Sequence, residues 1–189
     1  MVKKFDSFFK VFQSQRMAAL LLLGFASGLP LFLTSRTLQS WMTVEGVDLA
    51  SIGAFSLVGL PYSLKFLWSP LIDRYVPPFL GRRRGWLVVT QVGLTLAIAA
   101  MSLQNPTQAL QFLAVNALLI AFLSASQDIA FDAYRTDVLE EREMGAGAAV
   151  AVLGYRVALL VTGSLALVLA DQIPWTAVYL CLAGLMSIS

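Results

Sequence analysis

The sequence predicts an all-α membrane protein with six transmembrane helices, and three observations support this fold class. Of the 189 residues, 58% are hydrophobic and only 13% are charged, whereas a soluble domain carries about 25% charged residues. Uncharged runs recur at the length of about 20 residues that an α-helix needs to cross a bilayer. Lysine and arginine are concentrated in alternate connections between these runs, as in membrane proteins with a fixed orientation.

The uncharged runs place the predicted helices, in chain order, at residues 17–35, 50–72, 85–127, 145–170 and 174–189. The third run is too long for one span, and Asn105-Pro106 divides it into the third and fourth helices. Lys65 is the one charge inside the second helix, and Arg156 is the one charge inside the fifth. The sixth helix has no clear end, so we expect a partial chain whose C-terminal half is absent.

The basic residues orient these helices. One side of the membrane receives most of them, namely Lys3, Lys4, Lys10, Arg16, Arg74, Arg82, Arg83, Arg84, Arg135 and Arg142. The opposite side has a single arginine, Arg36. The positive-inside rule therefore predicts a cytoplasmic N-terminus. Residues 1–16 are expected to form an amphipathic lead-in, and residues 17–189 the transmembrane bundle.

The composition excludes several classes of protein. A single cysteine, Cys181, rules out a disulfide within the chain. The sequence has no histidine, which excludes histidine-ligated metal or haem, and one cysteine cannot form a thiolate cluster. The net charge of +2 gives no indication of nucleic-acid binding. We expect no metal and no cofactor.

Four charged residues lie within the predicted helices or near their ends. At about 1.5 Å per residue, Asp132 lies about 4–5 Å and Asp128 about 10 Å inside the boundary marked by Arg135. Lys65 lies about 12 Å from the same side, and Arg156 about 20 Å from it, near the middle. A charge in hydrocarbon costs about 2.5–3.5 kcal/mol, so such residues usually pair or line a water-filled path. Their similar depths predict that Lys65 and Asp128 form a pair.

Two interpretations of this pair remain open. In the functional one, Asp128 takes up and releases a proton on a helix face shared with Ser124 and Asp132, while Lys65 and Arg156 attract an anionic ligand. In the structural one, a static Lys65–Asp128 pair fixes helix packing. For Asp132, hydration at the membrane boundary is the competing explanation.

Arg36 and the glycines have simpler interpretations. Arg36 is expected to snorkel at the outer end of the first helix. Gly24 and Gly28 form a small-xxx-small pair, and further glycines stud the fifth helix, so close helix packing is expected, with hinge motion as the alternative. GFASGLP in the first helix and AFLSASQ in the fourth place small polar residues in matching helices, which suggests a three-plus-three inverted repeat.

The loop LIDRYVPPFLGRRRG, residues 71–85, resembles the signature between helices 2 and 3 of the major facilitator superfamily. Asp73-Arg74 matches one half of that signature and Gly81-Arg82-Arg83 the other, although YVPPFL separates them more widely than usual. The resemblance implies that Asp73 and Arg83 belong to a cytoplasmic gate, with Arg135 as a partner. The wider spacing leaves the choice among the three arginines open.

Longer motifs resemble one family within that superfamily, the AmpG muropeptide permeases. These motifs are GFASGLPLFLTSRTLQSWM, FSLVGLPYSLKFLWSPLIDRY, GRRRGWL, SASQDIAFDAYRTDVL and GAGAAVAVLGYR. The resemblance implies proton-driven import of anhydro-muropeptides across the bacterial inner membrane, for cell-wall recycling and β-lactamase induction. It also implies that this chain is the first six-helix half of a carrier. Arg36 departs from the family, where a small residue is expected.

Side-chain chemistry suggests how such a ligand would be held. Lys65 and Arg156 suit a carboxylate, Ser124 and Gln127 suit sugar hydroxyls, and Tyr62 and Tyr155 could stack on a sugar. Two other functions remain open. One is a related carrier of another anionic solute, such as an acyl-CoA. The other is a membrane-embedded hydrolase that uses a carboxylate dyad of Asp128 and Asp132.

Overall fold

The computed structural model describes residues 14–78 and 80–189, and the regular elements in this part of the chain are all helices. Five of them are long and apolar enough to cross a membrane, so the all-α prediction is confirmed and five helices of spanning length are present among these residues. They are α1 (Gln15–Val44), α2 (Leu49–Leu67), α3 (Arg82–Ser102), α4 (Leu110–Val138) and α5 (Glu141–Ala170). A shorter apolar helix, α6 (Trp175–Ile188), follows them. Most of the predicted amphipathic lead-in falls on residues 1–13, outside the described residues.

α1 extends well beyond its predicted end. Ser14 caps its start, because the Ser14 hydroxyl accepts a hydrogen bond from the backbone N–H of Met17 at 3.3 Å. Near Pro30 the helix widens into a π-helical turn at Leu33–Thr37 and then continues, burying a second apolar stretch at Leu38, Trp41 and Met42. This added burial keeps the chain helical past Ser35. The first helix therefore ends at Val44, so Arg36 lies inside a continuous helix and not at its outer end.

α2 is the least regular of the long helices. It passes through 3-10 turns at Phe55–Gly59 and Lys65–Leu67, and a separate short helix, Ser69–Arg74, follows it. The prolines explain two of these changes, because Pro61 and Pro70 both lie in the first turn of a new helical segment, where a missing N–H costs nothing. The predicted single helix over residues 50–72 is thus two segments.

The predicted break between the third and fourth helices is confirmed. α3 ends at Ser102 and α4 begins at Leu110. Between them, the side-chain oxygen of Asn105 accepts hydrogen bonds from the backbone N–H and the hydroxyl of Thr107, at 2.9 and 2.7 Å. This local turn offers the backbone an alternative to the helix. α4 then runs unbroken through the charged stretch to Val138.

α1 and α5 pack side by side and run in the same direction. Gly24 contacts the backbone of Ala151, and Gly28 contacts Tyr155 four residues further along both helices. A Cβ on Gly28 would lie 2.7 Å from the carbonyl oxygen of Tyr155, closer than real side chains allow. Gly154 makes the reciprocal approach to α1. The close-packing interpretation of these glycines is therefore confirmed.

The remaining helices complete the bundle around α4. α3 lies against both α4 and α6, and Asn116 on α4 donates to the carbonyl oxygen of Ala97 on α3 at 3.0 Å. α2 lies against α4, yet only 11% of its most apolar stretch is buried. Large apolar side chains are consequently exposed along α2, as expected for a surface that faces lipid or another protein segment.

Candidate functional site

A group of polar side chains meets inside the bundle at Asp128 on α4. The Ser27 hydroxyl on α1 donates a hydrogen bond of 2.6 Å to one carboxylate oxygen of Asp128. The ammonium of Lys65, from the 3-10 turn of α2, lies 3.9 Å from the other oxygen. The predicted Lys65–Asp128 pair is therefore present. Three helices meet at one carboxylate, which is bonded tightly to α1 and only loosely to α2.

Hydroxyl groups extend this cluster along α4. Tyr62 on α2 faces Ser124, which lies one helical turn before Asp128, and also faces Thr34 on α1. The Tyr62 and Ser124 hydroxyls are buried, but neither forms a hydrogen bond of ordinary geometry within residues 14–78 and 80–189. Buried polar groups are normally satisfied, so two unsatisfied hydroxyls together are available to a ligand or a water molecule.

A second aromatic hydroxyl approaches the cluster from α5. Tyr155 lies close enough to the Asp128 carboxylate for that charge to act on its hydroxyl, and it also lies near Tyr62. The cluster therefore draws residues from α1, α2, α4 and α5. Of the residues that the sequence assigned to ligand or proton binding, five converge here: Lys65, Asp128, Ser124, Tyr62 and Tyr155.

Gln127 points to a different part of the bundle. Its side chain is buried and donates a hydrogen bond of 2.5 Å to Gln91 on α3. Gln91 in turn donates to the carbonyl oxygen of Met186 and, at 3.1 Å, to the hydroxyl of Ser189. This chain of amides joins α4, α3 and the end of α6. The structure thus places Gln127 in an interhelical contact and not beside Lys65.

Asp132 lies one turn further along α4, within electrostatic range of Asp128 but paired elsewhere. Its side chain is 57% exposed and pairs with Arg135 at 3.4 Å on the same helix. Asp132 and Arg135 are therefore partners of each other. A pair this exposed contributes little to stability, about 0–1 kcal/mol.

Two charges of the 71–85 loop, Asp73 and Arg83, form a compact ion-pair group with Asp137, which we call the Arg83 group. The guanidinium of Arg83, at the start of α3, lies 2.6 Å from Asp73 and 3.2 Å from Asp137 at the end of α4. Gly81 precedes α3 with φ at 77°, a conformation that suits glycine and turns the chain into the helix. Among the three adjacent arginines, Arg83 is the one that joins α4 to the Asp73 segment.

The third member of the Arg83 group is Asp137, and not Arg135 as predicted. The resemblance implied Arg135 as the partner, but Arg135 pairs with Asp132, and Asp137 takes the place beside Arg83. Arg135 and Arg83 carry the same charge, so a carboxylate is the better neighbour. The sequence did not single out Asp137, which lies beyond the apolar stretch of α4. Its sign, opposite to that of the arginine cluster, was the signal that could have identified it.

Arg156 faces another cavity, between α5 and α1. This cavity has a volume of about 440 Å³, and its lining includes Arg36 and Phe32 from α1 and Gly163 and Ser164 from α5. Neither Lys65 nor Asp128 lines it. The structure therefore does not bring Arg156 to the Lys65–Asp128 pair, although Tyr155, the preceding residue, lies within electrostatic range of Asp128. Arg36, which the sequence assigned to the helix end, shares the cavity with Arg156.

Comparison with known proteins relates the chain to transporters. The family model described as "Acetyl-coenzyme A transporter 1" matches residues 16–176. The anhydromuropeptide permease of Escherichia coli strain K12 is 60% identical over 182 residues, which cover 96% of this chain and 37% of that protein. The resemblance to the muropeptide permeases is thereby confirmed.

Two more distant relatives extend this comparison. An uncharacterized protein of Haemophilus influenzae is 49% identical over 157 residues, covering 83% of this chain and 37% of its own length. A Rickettsia conorii protein named "Putative transporter AmpG 4" is 39% identical over 165 residues, covering 86% of this chain and 40% of its own. The chain spans about two fifths of the length of these relatives.

Proposed function

The chain belongs to the family described as Acetyl-coenzyme A transporter 1, and we propose that it forms the first part of a carrier that imports anhydro-muropeptides across the bacterial inner membrane. The observation that carries this proposal is the 60% identity, over nearly the whole chain, to a protein named anhydromuropeptide permease. The cargo is GlcNAc–anhydroMurNAc with or without its peptide. Import of this cargo would serve cell-wall recycling and the induction of β-lactamase.

The proposed architecture is the N-terminal six-helix half of a major facilitator, with a cytoplasmic N-terminus. Five apolar helices of spanning length and the apolar α6 support six crossings. The parallel packing of α1 and α5 is what five successive crossings would produce. The three-plus-three repeat would make α1 equivalent to α4, and these two helices supply Ser27 and Asp128 to the same contact. The remaining length of the relatives would supply the second half.

Within this carrier, Asp128 is the proposed proton carrier. Protonation would cancel its attraction to Lys65, which is 3.9 Å away, while Ser27 could still hydrogen bond to it. The proton gradient would be the driving force, with no cofactor. The free hydroxyls of Tyr62 and Ser124 are suited to sugar hydroxyls, and they lie beside the charge that changes. Cargo binding and proton binding would thereby influence each other.

The Arg83 group is the proposed cytoplasmic gate. Arg83 links the segment after α2 to the end of α4 through two carboxylates, Asp73 and Asp137. These two ion pairs would hold the elements together when the gate is closed. Breaking them would cost little free energy, because both carboxylates are more than half exposed. Asp132 and Arg135 form a neighbouring pair on α4 that would move with it.

Transport is tested with a chimera in which residues 1–189 of this chain are joined to the remaining length of the E. coli permease. Vesicles that carry it should accumulate labelled GlcNAc–anhydroMurNAc when the outside is acidic, and a protonophore should abolish the accumulation. Label recovered unchanged inside supports a carrier, whereas hydrolysed label would favour the hydrolase. Absence of any uptake, beside active vesicles of the E. coli permease, would refute the proposal.

An acyl-CoA carrier is the second candidate, because the matching family model is described by acetyl-coenzyme A. The same vesicles distinguish the two cargoes. An excess of unlabelled muropeptide should suppress uptake of the labelled disaccharide, and an equal excess of acetyl-CoA should not. The reverse order of competition would favour the acyl-CoA carrier.

A further inference from the structure

The cavity between α1 and α5 contains a pair of cations that the proton-coupling cluster does not use. We propose that Arg36 and Arg156 together bind a carboxylate of the transported ligand in this cavity. The identity of the ligand rests on the function proposed above, but the preference for an anion follows from the two side chains. Arg36 would thereby be a specificity-determining residue of the carrier.

The two arginines have the same charge and line one cavity of about 440 Å³. In the part of the chain that the structure describes, neither of them forms a salt bridge. At about 1.5 Å per residue, Arg36 lies about 12 Å from Val44 at the end of α1, and Arg156 about 21 Å from Ala170 at the end of α5. Both are well inside apolar helices, where unpaired cations are costly and usually functional. An anion in the cavity would offset the repulsion between them.

Both helices depart from regular α-geometry where they line this cavity. α1 contains the π-helical turn Leu33–Thr37 and α5 contains the π-helical turn Val161–Leu165. The hydroxyl of Thr37 donates a hydrogen bond of 2.8 Å to the carbonyl oxygen of Thr162, which joins the two wide turns directly. Isolated π-turns are rare and occur frequently at functional sites.

The π-turns shape the cavity around the arginines. Arg36 belongs to one turn, while Gly163 and Ser164 belong to the other and line the cavity with it. Gly163 presents no side chain there, and Ser164 offers a hydroxyl as a hydrogen-bond donor. The π-turns of α1 and α5 thus lie next to each other, and the arginines of both helices line the space between them.

Arg36 is held in place by its neighbour Phe32. The centre of its guanidinium lies 5.4 Å from the centre of the Phe32 ring, within the range of a cation–π contact. Such a contact restricts the side chain while leaving its N–H groups free to donate. A planar guanidinium suits a carboxylate, because its parallel N–H groups can bond to both oxygens. The volume is within the range of small-ligand sites.

The test measures uptake by the chimera of acidic and neutral forms of the same cargo. One pair of substrates is the peptide-free disaccharide with its lactyl carboxylate free or converted to an amide. The other pair is the peptide-bearing form with its peptide carboxylates free or amidated. Comparing the two pairs shows which carboxylate the site recognises. The variants are Arg36→Gln, Arg156→Gln and the charge-conserving Arg36→Lys, and the control is Arg142→Gln, an exposed arginine outside the cavity.

We expect the Gln variants to lose uptake of an acidic substrate by about 10- to 100-fold, the usual effect of removing a charged hydrogen bond. Uptake of the matching amide should change less than threefold, and Arg36→Lys should restore part of the acidic uptake. Arg142→Gln should behave as the unmodified chimera. A Gln variant that loses both forms equally, or neither, overturns the proposal. If the unmodified chimera transports no muropeptide, the proposed function itself fails.

Discussion

The backbone contact between α1 and α5 can be tested by adding one methyl group. A Cβ at Gly154 would lie 2.9 Å from the backbone nitrogen of Phe25 and closer still to the carbonyl oxygen of Leu21. Both are backbone atoms, which cannot move aside as a flexible side chain does. Gly154→Ala must therefore push the two helices apart. Gly184, within α6, is the matched control, because a Cβ there meets nothing within 4 Å.

The expected effect follows from two opposing contributions. Replacing glycine by alanine within a helix favours folding by about 1 kcal/mol, and both substitutions gain this. Overpacking costs about 1–3 kcal/mol, and only Gly154→Ala incurs it. The difference in the free energy of unfolding between the two variants should therefore be about 1–3 kcal/mol, with Gly154→Ala the less stable.

The assay is unfolding of the purified 189-residue chain in mild detergent, followed by circular dichroism while a denaturing detergent is added. Gly154→Val should lower the free energy of unfolding further than Gly154→Ala, because its larger side chain meets the same backbone. If Gly154→Ala is as stable as Gly184→Ala, the close approach of α1 and α5 is wrong. The displacement should also reduce transport by the chimera, because Tyr155, next to Gly154, lies within electrostatic range of Asp128.

Three further predictions follow from single contacts. Asp128→Asn should abolish proton-driven accumulation of muropeptide while sparing exchange of internal for external substrate, since the amide cannot titrate; normal accumulation would make Asp128 structural. Arg83→Gln removes two exposed ion pairs, so it should shift the equilibrium between the closed and open gate toward the open form by about 1–2 kcal/mol. Arg84→Gln, the control, should leave this equilibrium unchanged. Equal labelling of a cytoplasmic reporter cysteine in both variants would contradict this prediction. Hydrogen bonds from the hydroxyl and backbone N–H of Ser51 hold the pKa of Asp48 below its usual value. Its cap on α2 is therefore fully present above pH of about 4 and is lost as pH falls through the lowered pKa. Amide hydrogen exchange at the start of α2, corrected for the pH dependence of the intrinsic exchange rate, should show protection falling with pH in the unmodified chain. In Asp48→Ala, protection should be low at every pH.

The helices could be predicted because a helix that crosses the hydrocarbon core of a bilayer needs about 20 mostly apolar residues in a row. Uncharged runs of spanning length gave the long helices, and Asn105-Pro106 marked the one break inside an uncharged run. The depth of a charge along its helix also predicted the Lys65–Asp128 pair, since the two residues lie at similar depths, about 12 and 10 Å from the same side. These predictions depend on distance along a helix axis, which the sequence encodes directly.

The direction in which a side chain points around its helix is harder to predict from the sequence than its depth. A π-turn changes that direction by inserting a residue into one turn, and no apolar periodicity in an all-apolar helix reveals it. Arg36 lies within such a turn. Arg156 lies in the regular helix before the other turn, and the sequence assigned it to the same ligand as Lys65 because the direction of its side chain could not be predicted. Gln127 was likewise assigned to the same ligand as Lys65, but its side chain points toward Gln91 on α3, since adjacent residues of an α-helix such as Gln127 and Asp128 point about 100° apart.

Asp128 is bonded more strongly to α1 than to α2, and this difference indicates which helix would move when Asp128 loses its charge. α1 is fixed to α5 by backbone packing at Gly24 and Gly154, and it is also bonded to Asp128 through Ser27 at 2.6 Å. The charged group that α2 brings to Asp128 is Lys65, at a distance longer than a hydrogen bond. Neutralising Asp128 removes the attraction to Lys65 and leaves the glycine contacts intact. We therefore expect α2 to respond first, and α2 leads directly into the Asp73 segment that Arg83 holds.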